Sequence, residues 1–186
     1  MGSSRGPGCV GRWLGLVGAA AAIATLLLSG CAGPGGRLVR YPSNESSGLN
    51  SIHGDWEPHH GGRYIALVTE RRGIQEIVLF DTRSQRSIPL PGLNRADSLV
   101  GQPSASADGE FIAFAAVRAG RSDIYLYQRS AQQSRNLTAR LNSAVRHPSL
   151  SERGDRVAFE VSVNGQWDLS IVDRAGRPLN IPTNPR

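Results

Sequence analysis

The sequence predicts an all-β domain of three four-stranded sheets set in a row behind an N-terminal leader, and three observations predict it. Pro58, Pro103 and Pro148 are spaced forty-five residues apart. Each is followed by the same series: a Gly-containing turn, an apolar strand, a second glycine, an acid and another apolar strand. The strands Ile65–Val68, Ile112–Ala116 and Val157–Val161 are apolar at nearly every position, the pattern of strands buried on both faces. A repeat of roughly 20–50 residues marks a solenoid or propeller. Sheets stacked face to face with short polar turns at their rims are propeller blades.

At the N-terminus, Arg5 and Arg12 precede an uncharged apolar run, Leu14–Leu28. It is the core of a signal peptide, short of the roughly 20 residues of a membrane-spanning helix. The run ends in Leu28-Ser29-Gly30-Cys31, which resembles the lipobox of bacterial lipoproteins. That resemblance implies cleavage before Cys31, acylation of its thiol and lipid anchoring in the periplasm. Ala32 after the cysteine implies the outer membrane in preference to the inner. Cys9 falls in the leader, so the mature chain has one cysteine and no internal disulfide. Residues 1–30 are thus assigned to the signal peptide, 31–48 to the lipidated cysteine and its tether, and 49–186 to the repeat domain. The Gly-, Pro- and Ser-rich pieces Ala32–Gly36 and Ser43–Ser47 have a flexible tether's composition. Between them, Leu38–Tyr41 is either a lone strand or more tether.

The repeat units run over about 49–90, 93–138 and 141–182. Each proline belongs at a strand start or on an edge, because it cannot donate to a ladder. Asp108-Gly109 is turn chemistry, the Asp bonding its own backbone and the Gly taking a positive φ. Gly154 closes the matching turn of the third unit. Gly73, Gly120 and Gly165 mark the next turn, with Glu76, Asp123 and Asp168 three residues beyond. An acid there is expected to pair with an arginine or cap a turn. The strands 77–81, 124–128 and 169–173 follow. Leu49-Asn50, Leu93-Asn94 and Leu141-Asn142 recur in the connectors.

The strings PSASADGEFIAFAAVRAGRSDIYLYQRSAQQSRNLT and HPSLSERGDRVAFEVSVNGQWDLSIVD resemble the TolB-type propeller repeat. Its marks are a proline, a Ser-Pro-Asp-Gly turn, an Ile-Ala-Phe strand, a Gly-x-x-Asp-Ile-Tyr strand and a final Leu-Thr. The resemblance covers about 49–182 and extends to short TolB-like lipoproteins of cyanobacterial type. The first unit departs from it, lacking the turn Asp and the third-strand Tyr. The resemblance implies a partial propeller of TolB-type blades and, since TolB is a component of the Tol–Pal envelope system, a role in protein–protein interaction there. Closed propellers have about 4–8 blades. Three blades leave an open arc, a cap on a larger partner, or a homodimer whose two chains make a six-bladed ring.

The charge of +6 comes from 21 arginines with no lysine. The arginines are scattered over every turn, and removing the leader leaves 19 against 15 acids. That balance does not call for a nucleic-acid partner. The histidines are His53, His59, His60 and His147. His59 and His60 are adjacent in a turn with no Cys, Asp or Glu at ligand spacing beside them, and His147 is a polar strand-entry position, so neither a metal nor another cofactor is expected. Trp56 and Trp167 are candidate rim residues for a ligand, against packing as the alternative. No Gly-x-Ser-x-Gly elbow, phosphate-cradling loop, Cys/His pair or paired-carboxylate motif occurs. The sequence therefore reads as a non-enzymatic, lipid-anchored binding or scaffold protein engaging an envelope protein. Recognition of glycan or peptidoglycan through the Trp and Arg rim is the alternative.

Overall fold

A computed structural model of the chain describes residue 49 and residues 54–180. The leader, Leu28 to Cys31, the tether, Asn50 and His53 lie outside the described residues. Among the described residues there is no helix, and hence none long and apolar enough to cross a membrane.

The first sheet is β1 (Asp55–Gly61), β2 (Tyr64–Arg71), β3 (Ile74–Asp81) and β4 (Arg86–Ile88), antiparallel in chain order. The second repeats it with β5 (Leu99–Ala105), β6 (Phe111–Arg118), β7 (Arg121–Gln128) and β8 (Gln133–Asn136). The third has β9 (Val145–Leu150), β10 (Arg156–Val163) and β11 (Gln166–Asp173). Its fourth position, expected to be a strand, is a single bridge from Val172 to Pro178. Hydrogen bonds from Asp173 N–H to Arg177 O and from Leu179 N–H to Ile171 O flank that bridge. Pro178 has no N–H with which to extend the ladder.

The hairpins joining each second and third strand turn at Arg72-Gly73, Ala119-Gly120 and Asn164-Gly165, with positive φ at both residues of each pair. That is the type I′ geometry, whose twist matches the flanking strands. It explains why the glycine recurs.

The side chains of the middle sheet alternate strictly between two cores. Ile112, Phe114, Ala116, Tyr125 and Tyr127 face the first sheet, joining Tyr64, Ala66, Ile77 and Leu79. Phe111, Ala113, Ile124 and Leu126 face the third, joining Val157, Phe159 and Val172. Period-2 alternation between two apolar neighbours is what makes these strands read as continuous apolar runs. Below, the face a sheet turns to the next sheet in sequence is its trailing face, and the opposite one its leading face. Among the described residues only the middle sheet has another sheet on both.

Candidate interaction surface

Turns at the sheet rims set how one sheet sits on the next. Phe111 N–H donates to Ser106 Oγ, Ser106 Oγ–H donates to Asp108 Oδ1, and Gly109 N–H donates to Ser106 O. In the third sheet Ser151 takes the same place, but its hydroxyl donates to Asp155, just after Gly154, at 2.7 Å. The turn therefore keeps its carboxylate while moving it along the chain. A Cβ on Gly109 would lie 2.7 Å from the Tyr64 ring, and one on Gly154 would lie 2.6 Å from the Phe111 ring. Each turn glycine thus rests on an aromatic of the preceding sheet.

The three repeat prolines sit in β-bulges on the innermost strand of each sheet, where register slips by one residue. The residue before each proline, Glu57, Gln102 or His147, has φ near +50°. A left-handed, non-glycine residue before proline is unusual, and it persists where surrounding contacts over-determine it. Here those contacts form a ladder running from sheet to sheet. Glu57 Oε2 accepts the N–H of Gln102, forty-five residues on, and Gln102 Oε1 accepts the N–H of His147 at 2.7 Å. A second rail lies beside it: His59 Nδ1 accepts the N–H of Ala105, and Ser104 Oγ accepts the N–H of Leu150 at 2.9 Å. The sequence shows only a polar residue before each proline, not its handedness or its reach.

This network fixes the state of His59. With Nδ1 accepting, Nε2–H must donate to Ser104 Oγ, 3.2 Å away, so the ring is neutral. Burial, together with the neighbouring His60, lowers the His59 pKa from its ordinary value. A depressed histidine contributes stability that is present above its unfolded pKa of about 6.5 and is lost as pH falls through its folded value. Thermal unfolding from pH 7.5 down to 5 is therefore expected to show a falling midpoint. His59→Gln, which keeps an acceptor, should flatten that slope.

The recurring acids do not share one role. Asp123 meets Arg121 at 2.7 Å and accepts from Thr138 Oγ1 at 2.9 Å. Burial works against its charge, but the bonds from Arg121, Thr138 and Asn136 outweigh that and hold it below the usual carboxylate range. Glu76 and Asp168, at the same repeat position, have no side-chain hydrogen bond or ion pair among the described residues. The expected pairing thus holds in the middle sheet alone. The connectors also realign. Asn94 Oδ1 accepts the N–H of Ile77, and Thr138 Oγ1 accepts the N–H of Ile124. Leu93-Asn94 therefore corresponds to Leu137-Thr138. Leu141, the sequence match, is exposed, whereas Leu93 and Leu137 are buried.

Among the described residues, the third sheet's trailing face carries the most exposed large apolar side chain, Leu169. Trp167, Leu169 and Ile171 lie on it, at the positions of Ser122, Ile124 and Leu126 in the middle sheet. Ile124 is 0% exposed and Leu169 78%, so equivalent positions have opposite environments. Arg146 lies over the Trp167 ring at 3.8 Å and bonds Glu160 at 2.6 Å, and His147 Nδ1 also reaches Glu160, at 3.2 Å. Trp56 is half-buried on β1 of the first sheet, so the two tryptophans stand on different sheets and do not form one platform. Among the described residues no three His, Cys, Asp or Glu side chains gather as a metal site would need. A cleft of about 390 Å³ between the second and third sheets is lined by Phe111, Gln128, Ser134, Arg135 and Arg174. Arg174 is committed there to the carbonyls of Arg153 and Gly154.

No family model matches the sequence, and no curated protein matches it. Solved structures do. TolB from Acinetobacter baumannii is similar with a TM-score of 0.55 at 21% identity, over 67% of this chain and 31% of that one. A putative TolB from Agrobacterium tumefaciens is similar at 0.54 and 18%, over 67% and 47%. The β-propeller domain of the trilobed protease from Pyrococcus furiosus gives 0.49 and 18%, over 69% and 42%. The chain spans less than half the length of either TolB structure. At these identities the likeness concerns the fold, and the fold of the described residues is a row of three TolB-like β-propeller blades.

Proposed function

We propose that this chain is a lipid-anchored periplasmic scaffold, tethered through Cys31 with the outer membrane favoured, that binds a protein across the trailing face of its third blade. One observation carries the reading: Leu169 stands 78% exposed where its counterpart in the middle blade is fully buried beneath the next sheet. Exposed apolar patches rimmed by polar groups mark protein contact sites, and Arg146, His147 and Glu160 form such a rim. The resemblance to TolB, an envelope component, supports an envelope setting. The reading admits another envelope protein or a second copy of the chain as partner. It makes the chain a binding module, not an enzyme.

The test places a photoreactive residue at position 169 of the full-length chain in its native envelope. A light-dependent adduct with protein is expected from position 169 and not from Arg83, on a turn of the first blade. Adducts with cell-wall fragments alone would replace this reading with glycan recognition.

A further inference from the structure

We infer that the outer edge of the third blade takes an extended segment of a partner protein in which an apolar residue is followed by threonine, serine or asparagine. This rests on reading the trailing face as a protein-docking surface and deepens it by giving the partner's chemistry. That chemistry is set out by what the other two blades hold at the same place.

The residue after the recurring acid is Ile77, Ile124 or Leu169. In the first blade one amide clamps its backbone: Asn94 Oδ1 accepts the N–H of Ile77 at 2.8 Å, and Asn94 Nδ2–H donates to the Ile77 C=O at 2.9 Å. In the middle blade two residues share the task. Leu137 N–H donates to the Ile124 C=O at 2.8 Å, while Thr138 Oγ1 accepts the Ile124 N–H at 3.0 Å and donates to Asp123. A leucine precedes Asn94 and Thr138 alike, and both leucines, Leu93 and Leu137, are buried in the core between their blade and the next.

The third blade has the groups and lacks the clamp. Ile171 C=O accepts from Leu179 N–H at the outer edge of β11. By the two-residue alternation of a strand, the N–H and C=O of Leu169 face that same edge, and no described residue meets them. Gln166 to Leu169 are exposed at every position. Asp168 stands where Asp123 accepts from Thr138, and its carboxylate has no hydrogen bond or ion pair among the described residues. The chain's own sequence does not provide the missing hydroxyl: the register that sets Leu179 on Ile171 assigns Pro182 to the position of Thr138, and proline has neither a hydroxyl nor an N–H.

An unpaired strand edge is where a partner adds a strand, its main chain giving affinity and its side chains the choice of partner. Leu179 already occupies the edge at Ile171, so the partner segment begins beside Leu169. Its apolar residue lies against Leu169 on the trailing face, as Leu137 lies against Ile124. The hydroxyl or amide that follows accepts the N–H of Leu169, and a hydroxyl also donates to Asp168.

The probe is the capped peptide Leu-Thr-Ala-Arg, the middle blade's own segment 137–140, titrated into the full-length chain in detergent and followed at the Leu169 amide resonance. Saturable binding that slows hydrogen exchange at that amide is expected. Valine in place of the peptide's threonine keeps the shape without the hydroxyl and should weaken binding about tenfold, the usual scale for losing a hydrogen bond to a charged group. Asp168→Ala in the chain should erase the difference between the two peptides, which loose apolar contact would not do. Equal affinity of the two peptides for the unaltered chain, or a Leu169 amide that no peptide protects, overturns the inference and leaves the docking reading to the crosslink at position 169. A crosslink from there to a partner segment without such a residue pair, or to another copy of this chain, likewise overturns the inference and leaves docking standing. Absence of any protein adduct removes both.

Discussion

Phe114→Ala is expected to lower folding stability by about 3–5 kcal/mol, the usual range for deleting a buried aromatic. Phe114 is fully buried between the first and second blades and stacks on Tyr125 with ring centroids 5.6 Å apart. Its removal opens a cavity that neighbouring strands, pinned in two ladders each, cannot collapse to fill. Leu169→Ala is the matched comparison, because Leu169 is apolar but exposed; substitution there should stay within about 0.5 kcal/mol. Urea unfolding followed by tryptophan fluorescence separates the two. Similar costs for both would mean that the trailing face is packed, contrary to the geometry described.

Gly154→Ala should be nearly as damaging, for a different reason. Its φ is +67°, which costs an L-residue about 1–2 kcal/mol. The added methyl also lands 2.6 Å from the Phe111 ring, and overpacking of that kind typically costs about 1–3 kcal/mol more. Gly165 has a similar φ of +83°, yet nothing lies within 4 Å of where its Cβ would be. Gly165→Asn should therefore be close to neutral, since Asn visits this region readily. The same unfolding measurement checks both. Equal losses would show that backbone handedness alone, and not the seat of one blade on the next, explains why the glycines recur.

That contrast shows what the sequence could and could not reveal. The spacing of Pro58, Pro103 and Pro148 made the row of blades legible, because a forty-five-residue period survives drift at individual positions. The continuous apolar runs made the doubly covered middle blade legible, because burial on two faces leaves no polar phase. Repeated residue identity was a poorer guide to contact. Asp123 is tied to Arg121 and Thr138, but Glu76 and Asp168 at the same repeat position are not. Leu141-Asn142 matches Leu93-Asn94 in letters, while Leu137-Thr138 matches it in hydrogen bonds. The acids differ because Ile74 and Gln166 stand where Arg121 does, and the connectors differ because their lengths are unequal between units.

The ladder was hidden for a related reason. Glu57, Gln102 and His147 share polarity and a following proline but no chemical class, and their link appears only once the left-handed backbone lets the side chains of Glu57 and Gln102 reach the next blade. Trp167 is a candidate in the sequence for its ring, and the structure places it on the open face under Arg146. Leu169 beside it bears no mark in the sequence, because an apolar residue in an apolar strand gives no sign that its neighbour is missing.

Blade-to-blade register is the central claim, and residue-resolved amide hydrogen exchange tests it most directly. The N–H groups of Gln102, Ala105, His147 and Leu150 lie on innermost strands yet donate to side chains of the preceding blade. They should be protected, and Ser104→Ala should release Leu150 while leaving His147 protected. If all four exchange as fast as an exposed turn amide such as that of Arg153, the ladder does not join the blades.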